Sequence, residues 1–495
     1  MLFNSVEYLI FFPLVVIIYY LIPQKIRYIW LLLASYYFYM NWNPIYGCLL
    51  FSCTAVTYIA GRILEWLKKD DSEKVKLKRK ICLIGALVIN LGILGYYKYF
   101  EFAIGELNRL LSFLHIQPLT WEFSIVLPVG ISFYTLQALG YLIDVYRGEI
   151  YAERNFLRYA LFISFFPQLV AGPIERSKNL LVQLAKPQKF TWDNLRKGIF
   201  LMLWGLFMKI VIADRAAIIV DTVYGNTANY QGFYIVVAAI LFAIQIYCDF
   251  CGYSIIAQGS ALIMGIHLMN NFESPYFSRS IKEFWRRWHV SLSGWFRDYL
   301  YIPLGGNRKG WLRKQINIMI IFTVSGFWHG ASWAYVIWGA LNGIYQVAGD
   351  VWKMFREKIG FPEKKEKETF SHVLWQGAVT FGLFSFSLIF FRAGNLTPAI
   401  EALKNMCHFN WMIFFDGSLY RLGVGKEHFQ ILLLAVAALF YIDYKKYKGI
   451  DVAERLIQQQ WWFRVIVYVA LTFVILLFGC YGVAYDTQQF IYFQF

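Results

Sequence analysis

Apolar runs recur along this chain near residues 6–22, 28–60, 81–100, 123–143, 156–172, 198–220, 232–267, 315–349, 372–391, 428–443 and 462–483, with short hydrophilic segments between them. A crossing of the bilayer takes about 20 such residues, so the runs 28–60 and 315–349 must each be broken or hold two helices. The pattern predicts an all-α polytopic membrane protein with about 10–12 crossings. Pro44, Pro128, Pro167 and Pro173 lie within or beside apolar runs. Such breaks free backbone groups that must be satisfied inside protein or along a cavity, which favours a cavity-bearing protein over a simple bundle. No repeat, low-complexity tract or linker marks a second domain, so residues 1–495 read as one transmembrane domain. Residues 2–22 end at Ile22-Pro23 without a small-residue cleavage site and read as a retained span.

Composition agrees with that pattern. The 495 residues are 59% hydrophobic and 16% charged, against about 45–50% and about 25% in soluble domains. The formal net charge of +16 gathers in 62–80, 308–314, 353–368 and 445–448, all flanking apolar runs. That placement reads as the positive-inside rule and attraction to anionic membrane lipid, not as a nucleic-acid surface. With 62–80, 353–368 and 445–448 in the cytoplasm, 101–120 and 392–427 lie outside. The last span then carries the C-terminus to the extracytoplasmic side of the plasma (inner) membrane. The seven cysteines are scattered, and Cys248 and Cys251 form half a zinc motif with no second pair. The pattern therefore gives no metal site and no bound cofactor. No Walker-type loop and no G-x-S-x-G occur, so neither ATP-driven transport nor a serine hydrolase is supported.

Residues 278–310 carry the densest chemistry. Ser280 and Glu283 form an S-x-x-E capping box, which predicts a helix from Ile281. At 100° per residue, Phe284, Trp285, Trp288, Leu292, Trp295 and Phe296 share one arc, while Lys282, Arg286, His289, Ser293 and Arg297 line a polar stripe. An interfacial or re-entrant helix fits, its tryptophans at headgroup level and its arginines facing water or phosphate. A plain membrane anchor would look the same, apart from the imidazole in the stripe.

His329 lies more than ten residues from any Lys, Arg, Asp or Glu on either side. An ionisable group within an apolar span is a functional-site hypothesis by default. A neutral imidazole there can accept a proton, as a general base must. Gly326 and Gly330 flank it and admit a helix or a substrate. Asp144, Lys209 and Asp249, also in or beside apolar runs, read as pairing partners or cavity lining. The last six residues hold four aromatics after a polar bend at 485–489. They read as an extracytoplasmic tail in which Tyr492, with an ordinary pKa of about 10, would need a base to act as nucleophile.

Four stretches carry a resemblance: MLFNSVEYLIFFPLVVIIYYLIP at the N-terminus, SFFPQLVAGPIERSKNLLVQL at 164–184, EFWRRWHVSLSGWFRDYLYIPLGG at 283–306 and FTVSGFWHGASWAYVIWGALNG at 322–343. They resemble bacterial membrane-bound O-acyltransferases of the alginate and peptidoglycan O-acetylating branch (AlgI and PatA type), with the D-alanyl transferases (DltB type) as shorter cousins. The resemblance implies a ring of helices around a thinned centre with a tunnel joining the two faces. It implies His329 as the essential histidine and His289 as the second. The aromatic motif F-x-Y-x-x-F matches Phe490, Tyr492 and Phe495, with Tyr492 holding the acyl group in transit. The donor implied is acetyl-coenzyme A or an acylated carrier protein. Lys282, Arg286 and Arg297, with Trp285, Trp288 and Trp328, are the candidate donor-binding residues, because phosphates favour arginine. The implied partner is an extracytoplasmic SGNH-hydrolase-like acetyltransferase that O-acetylates a cell-surface polysaccharide. Three other readings are a D-alanyl transferase, a lipid or protein acyltransferase, and a lipid or acyl transporter without chemistry.

Overall fold

The computed structural model describes residues 1–68, 72–121, 125–360, 369–481, 490 and 491, and the ordered elements among them are helices. Two compact units are distinguished, Met1–Ile199 with Ala257–Met269, and Phe200–Ile256 with Asn270–Phe495.

In the first unit the broken runs follow their breakers. The run 28–60 divides into Arg27–Met40 and Pro44–Leu67. Pro44 opens the second helix, where its missing N–H is no loss, and Asn43 caps it by accepting from the Ile45 N–H at 3.0 Å. Pro167 ends the helix Phe156–Ser164, and the chain restarts as the short turn Phe166–Leu169. The groups freed there are satisfied by side chains. Ser35 Oγ accepts from the Phe166 N–H at 3.1 Å, and Gln137 Nε2 donates to the Phe162 carbonyl at 2.7 Å. This is how a membrane protein tolerates irregular backbone. The run 81–100 lies within a much longer helix, Glu73–Phe113, of 41 residues. At 1.5 Å per residue that is about 60 Å, so its basic first two turns extend beyond any single crossing.

In the second unit the run 315–349 is a helical hairpin, Trp311–His329 and Trp333–Lys358. Its arms approach at glycines: a Cβ on Gly326 would fall against the Tyr335 carbonyl and lie 3.0 Å from Gly339 Cα. Small residues at such a crossing let two backbones pack without intervening side chains. Gly326→Val should therefore lower stability by about 1–3 kcal/mol, the usual penalty for overpacking, seen as a reduced melting temperature in detergent; an unchanged value would mean that the crossing relaxes freely.

Six helices among the described residues are long and apolar enough to cross a membrane: Pro44–Leu67, Glu73–Phe113, Phe233–Ile263, Phe370–Ala393, Lys426–Tyr447 and Trp461–Phe478. The other apolar runs form helices that are shorter or more polar. Ile131–Arg147 has 17 residues with most side chains buried, and Val6–Leu21 has 16.

Candidate active site

Three segments of the second unit converge around two imidazoles. His329 is the last residue of the helix Trp311–His329 and is 3% exposed. Its Nδ1 lies 2.6 Å from the Ser325 carbonyl oxygen. A carbonyl only accepts, so Nδ1 carries the hydrogen and, in the neutral ring, Nε2 holds the lone pair. The rings of Trp328 and Trp338, each at 4.9 Å, and Phe391 at 5.8 Å enclose it. Gly330 follows, where a Cβ would strike the Tyr335 ring.

His289 corrects the expectation of one amphipathic helix. The cap forms: Ser280 Oγ accepts from the Glu283 N–H at 3.2 Å, while the Glu283 carboxylate accepts from the N–H of Arg279, one residue before the cap, at 2.9 Å. The helix ends after two turns, at Ile281–Arg287, and a second runs over Val290–Phe296. Between them His289 adopts φ 44° and ψ 53°, left-handed backbone that a non-glycine residue rarely takes. The polar stripe is broken with it. Lys282, Arg286 and Arg297 are exposed, while His289 is 1% exposed.

Asn271 accounts for the break. Its carbonyl accepts from the Val290 N–H at 3.0 Å, and its side-chain Oδ1 lies 2.8 Å from Ser291 Oγ and 3.2 Å from His289 Nδ1. Oδ1 also accepts from the Ser291 N–H at 3.4 Å, which fixes the amide's orientation. His289 therefore donates from Nδ1, giving both imidazoles the same tautomer. Trp328 stands against both rings, 6.4 Å from His289 and 4.9 Å from His329.

A cavity of about 370 Å³ reaches this cluster at Ser325; Lys282, Trp285, Arg286, Ser293, Arg297, Lys314 and Phe322 also line it, whereas neither imidazole nor Trp328 does. Ser325 is the residue whose carbonyl holds His329, so cavity and imidazole share one helical turn. Trp285 is tied down by donating from Nε1 to Asn342 Oδ1 at 3.2 Å. Trp288 takes no part in this lining and packs against Phe272, Phe284 and Phe384 at 5.0–5.4 Å. The motif is fastened to one end of the helix Lys426–Tyr447. Lys446 Nζ lies 3.4 Å from Glu273, and the Arg287 guanidinium sits 4.9 Å from the Tyr447 ring centroid.

The tail is described only in part. Phe490 is buried and stacks on Tyr253 at 4.6 Å, and Ile491 is buried beside it. Tyr492 and Phe495 lie outside the described residues.

The chain is 37% identical over 418 residues to a probable alginate O-acetylase of Pseudomonas putida, covering 83% of this chain and 82% of that protein. It belongs to the membrane-bound O-acyltransferase family. The family's model matches residues 153–392, which include both His289 and His329. As a member of this family the chain is a multi-pass membrane protein and an O-acyltransferase. It is also 34% identical over 408 residues to a peptidoglycan O-acetyltransferase of Helicobacter pylori, covering 77% and 74% of the two chains. A teichoic acid D-alanyltransferase of Bacillus subtilis is more distant, 27% identical over 305 residues and covering 57% of this chain.

For this O-acyltransferase, sequence reasoning missed Asn271. It sits in a polar loop, MNNFESP, that carries no periodic signal, and only the fold shows it holding His289. Asn342 was equally inconspicuous, because the run 315–349 also carries Gln315, Asn317 and Gln346 and nothing in the sequence separates it from them.

Proposed function

We propose that this chain takes an acetyl group from a cytoplasmic thioester, acetyl-coenzyme A, and passes it across the membrane to an extracytoplasmic partner that O-acetylates a cell-surface polysaccharide. The observation that carries the reading is the pairing of His329 with the basic cavity. His329 Nε2 holds the lone pair of a general base, and the cavity beside its helical turn is lined by Lys282, Arg286, Arg297 and Lys314. Phosphates of a nucleotide donor suit such a rim, and the apolar floor of Trp285 and Phe322 suits its acyl arm. The segment that carries Arg286 is tied, through its neighbour Arg287 and through Glu273, to the helix end bearing Lys445, Lys446 and Lys448, the cytoplasmic end by the positive-inside rule. The substrates named for the relatives, alginate and peptidoglycan, give the acceptor its class.

The chemistry balances as an acyl transfer in two stages. His329 Nε2 takes the phenol proton of Tyr492 as the phenolate oxygen attacks the thioester carbonyl. The C–S bond breaks, the imidazolium returns its proton to the leaving thiolate, and Tyr492 is left as an acyl ester. The partner's serine then attacks that ester and releases the tyrosine. His289, held by Asn271 with its ring 6.4 Å from that of Trp328, is the second imidazole of the site.

Donor binding supplies a test. Arg286→Glu should raise the apparent KM for acetyl-coenzyme A by about tenfold or more, as loss of a charged phosphate contact and its reversal imply, while kcat changes less. An unchanged KM in a folded variant would leave the basic rim as a lipid anchor.

A further inference from the structure

The second unit also buries an ion network whose position the acyl-transfer chemistry does not explain. Lys209 Nζ lies 2.8 Å from Asp214 Oδ1 and 2.7 Å from Asp249 Oδ1, and all three side chains are buried. Lys209 belongs to a π-helical stretch, Phe207–Ala213, an insertion that shifts side-chain register and recurs at functional sites. It reaches Asp249 because Gly205 and Gly252 let the two helices cross closely; a Cβ on Gly252 would lie 2.8 Å from the Gly205 carbonyl. Burying charges in this way is commonly no more stabilising than apolar packing of the same volume, so the network calls for a reason beyond stability.

That reason is the second oxygen of Asp249. Its Oδ2 accepts from the Ile491 N–H at 2.7 Å. Phe490, one residue earlier, stacks on Tyr253 at 4.6 Å, and Lys209 Nζ lies 5.7 Å from the centroid of that same ring. Phe250, next to Asp249, meets Phe490 at 6.0 Å and His289 at 4.7 Å. We infer that the Lys209–Asp214–Asp249 network is a dock for the C-terminal segment, fixing the register of Phe490 and Ile491 on which transfer by the next residue, Tyr492, depends. Stacked aromatic rings can slide along one another, whereas a hydrogen bond from one named N–H to a carboxylate held by a buried ammonium cannot. Lys209 orients Asp249, and Asp249 orients the tail. Both are positioning residues, and the inference rests on the acyl-tyrosine reading above.

Two variants of the full chain in lipid nanodiscs test it. Asp249→Asn leaves one acceptor oxygen where two donors, Lys209 and the Ile491 N–H, converge. Ile491→Pro removes the N–H itself and leaves the buried charges intact, so it decides the matter should Asp249→Asn fail to accumulate. Each should lower kcat by about 10²-fold, the usual effect of a small misplacement of a reacting group, with the KM for acetyl-coenzyme A unchanged. In Asp249→Asn, hydrogen exchange at the Ile491 amide should accelerate at least about tenfold, the equilibrium shift that loss of one charge-assisted bond produces. Unchanged exchange would overturn the dock. Faster exchange with normal kcat, or a fully active Ile491→Pro, would overturn its role in positioning. Failure of the underlying reading shows separately, as normal transfer by Tyr492→Phe, while amide exchange still reports the dock.

Discussion

Replacing His329 with alanine is expected to lower acyl transfer by about 10²–10⁴-fold, the usual contribution of a positioned general base, while the protein still inserts in the membrane. Its Nδ1 is committed to the Ser325 carbonyl, so the ring's proton-accepting capacity rests on Nε2. Alanine also empties space among Trp328, Trp338 and Phe391, which by itself destabilises the hairpin's end. His329→Gln separates the two effects. Its amide can still donate to Ser325 and fills most of the volume, yet it offers no nitrogen able to take a proton at neutral pH. Equal loss of activity in both variants, at normal levels of His329→Gln protein, is the expected result. Activity that falls only in step with protein level would make His329 a packing residue.

How much of this was legible in the sequence depended on range. Local rules worked where one residue dictates one feature. The prolines and the excess length of 28–60 and 315–349 announced their breaks, because proline and bilayer thickness act within a few residues. The cap at Ser280 formed where its spacing to Glu283 placed it. The polar stripe failed for the opposite reason: helical periodicity assumes an unbroken helix, and the break at His289 is imposed by Asn271, 18 residues away. With the helix cut, the imidazole turned from the polar stripe into the interior, where it is 1% exposed. Lys209 and Asp249 were recognisable as charges needing partners, but 40 residues of chain separate them, and the pairing through Gly205 and Gly252 is a property of the fold. The tail could be read only as a motif, and its contacts at Phe490 and Ile491 came from the structure.

The second large effect concerns the tail. Tyr492→Phe removes one oxygen and keeps the ring, so stability should stay within about 0.5 kcal/mol. Transfer to the polysaccharide should nonetheless be lost, because the nucleophile is that oxygen. Deleting residues 490–495 should abolish transfer too, but it also removes the contacts of Phe490 with Tyr253 and of Ile491 with Asp249, so it is the less specific change. Only the phenylalanine variant isolates the hydroxyl. Normal acetylation by Tyr492→Phe would mean that the acyl group passes from donor to partner without a tyrosyl ester.

The most direct test is to supply the intact protein with isotopically labelled acetyl-coenzyme A, without its partner, and to map the label by peptide mass spectrometry. The account predicts label on the peptide containing Tyr492, in ester linkage, absent from Tyr492→Phe and from His329→Gln. Label that appears elsewhere, or that persists on that peptide in Tyr492→Phe, would contradict it.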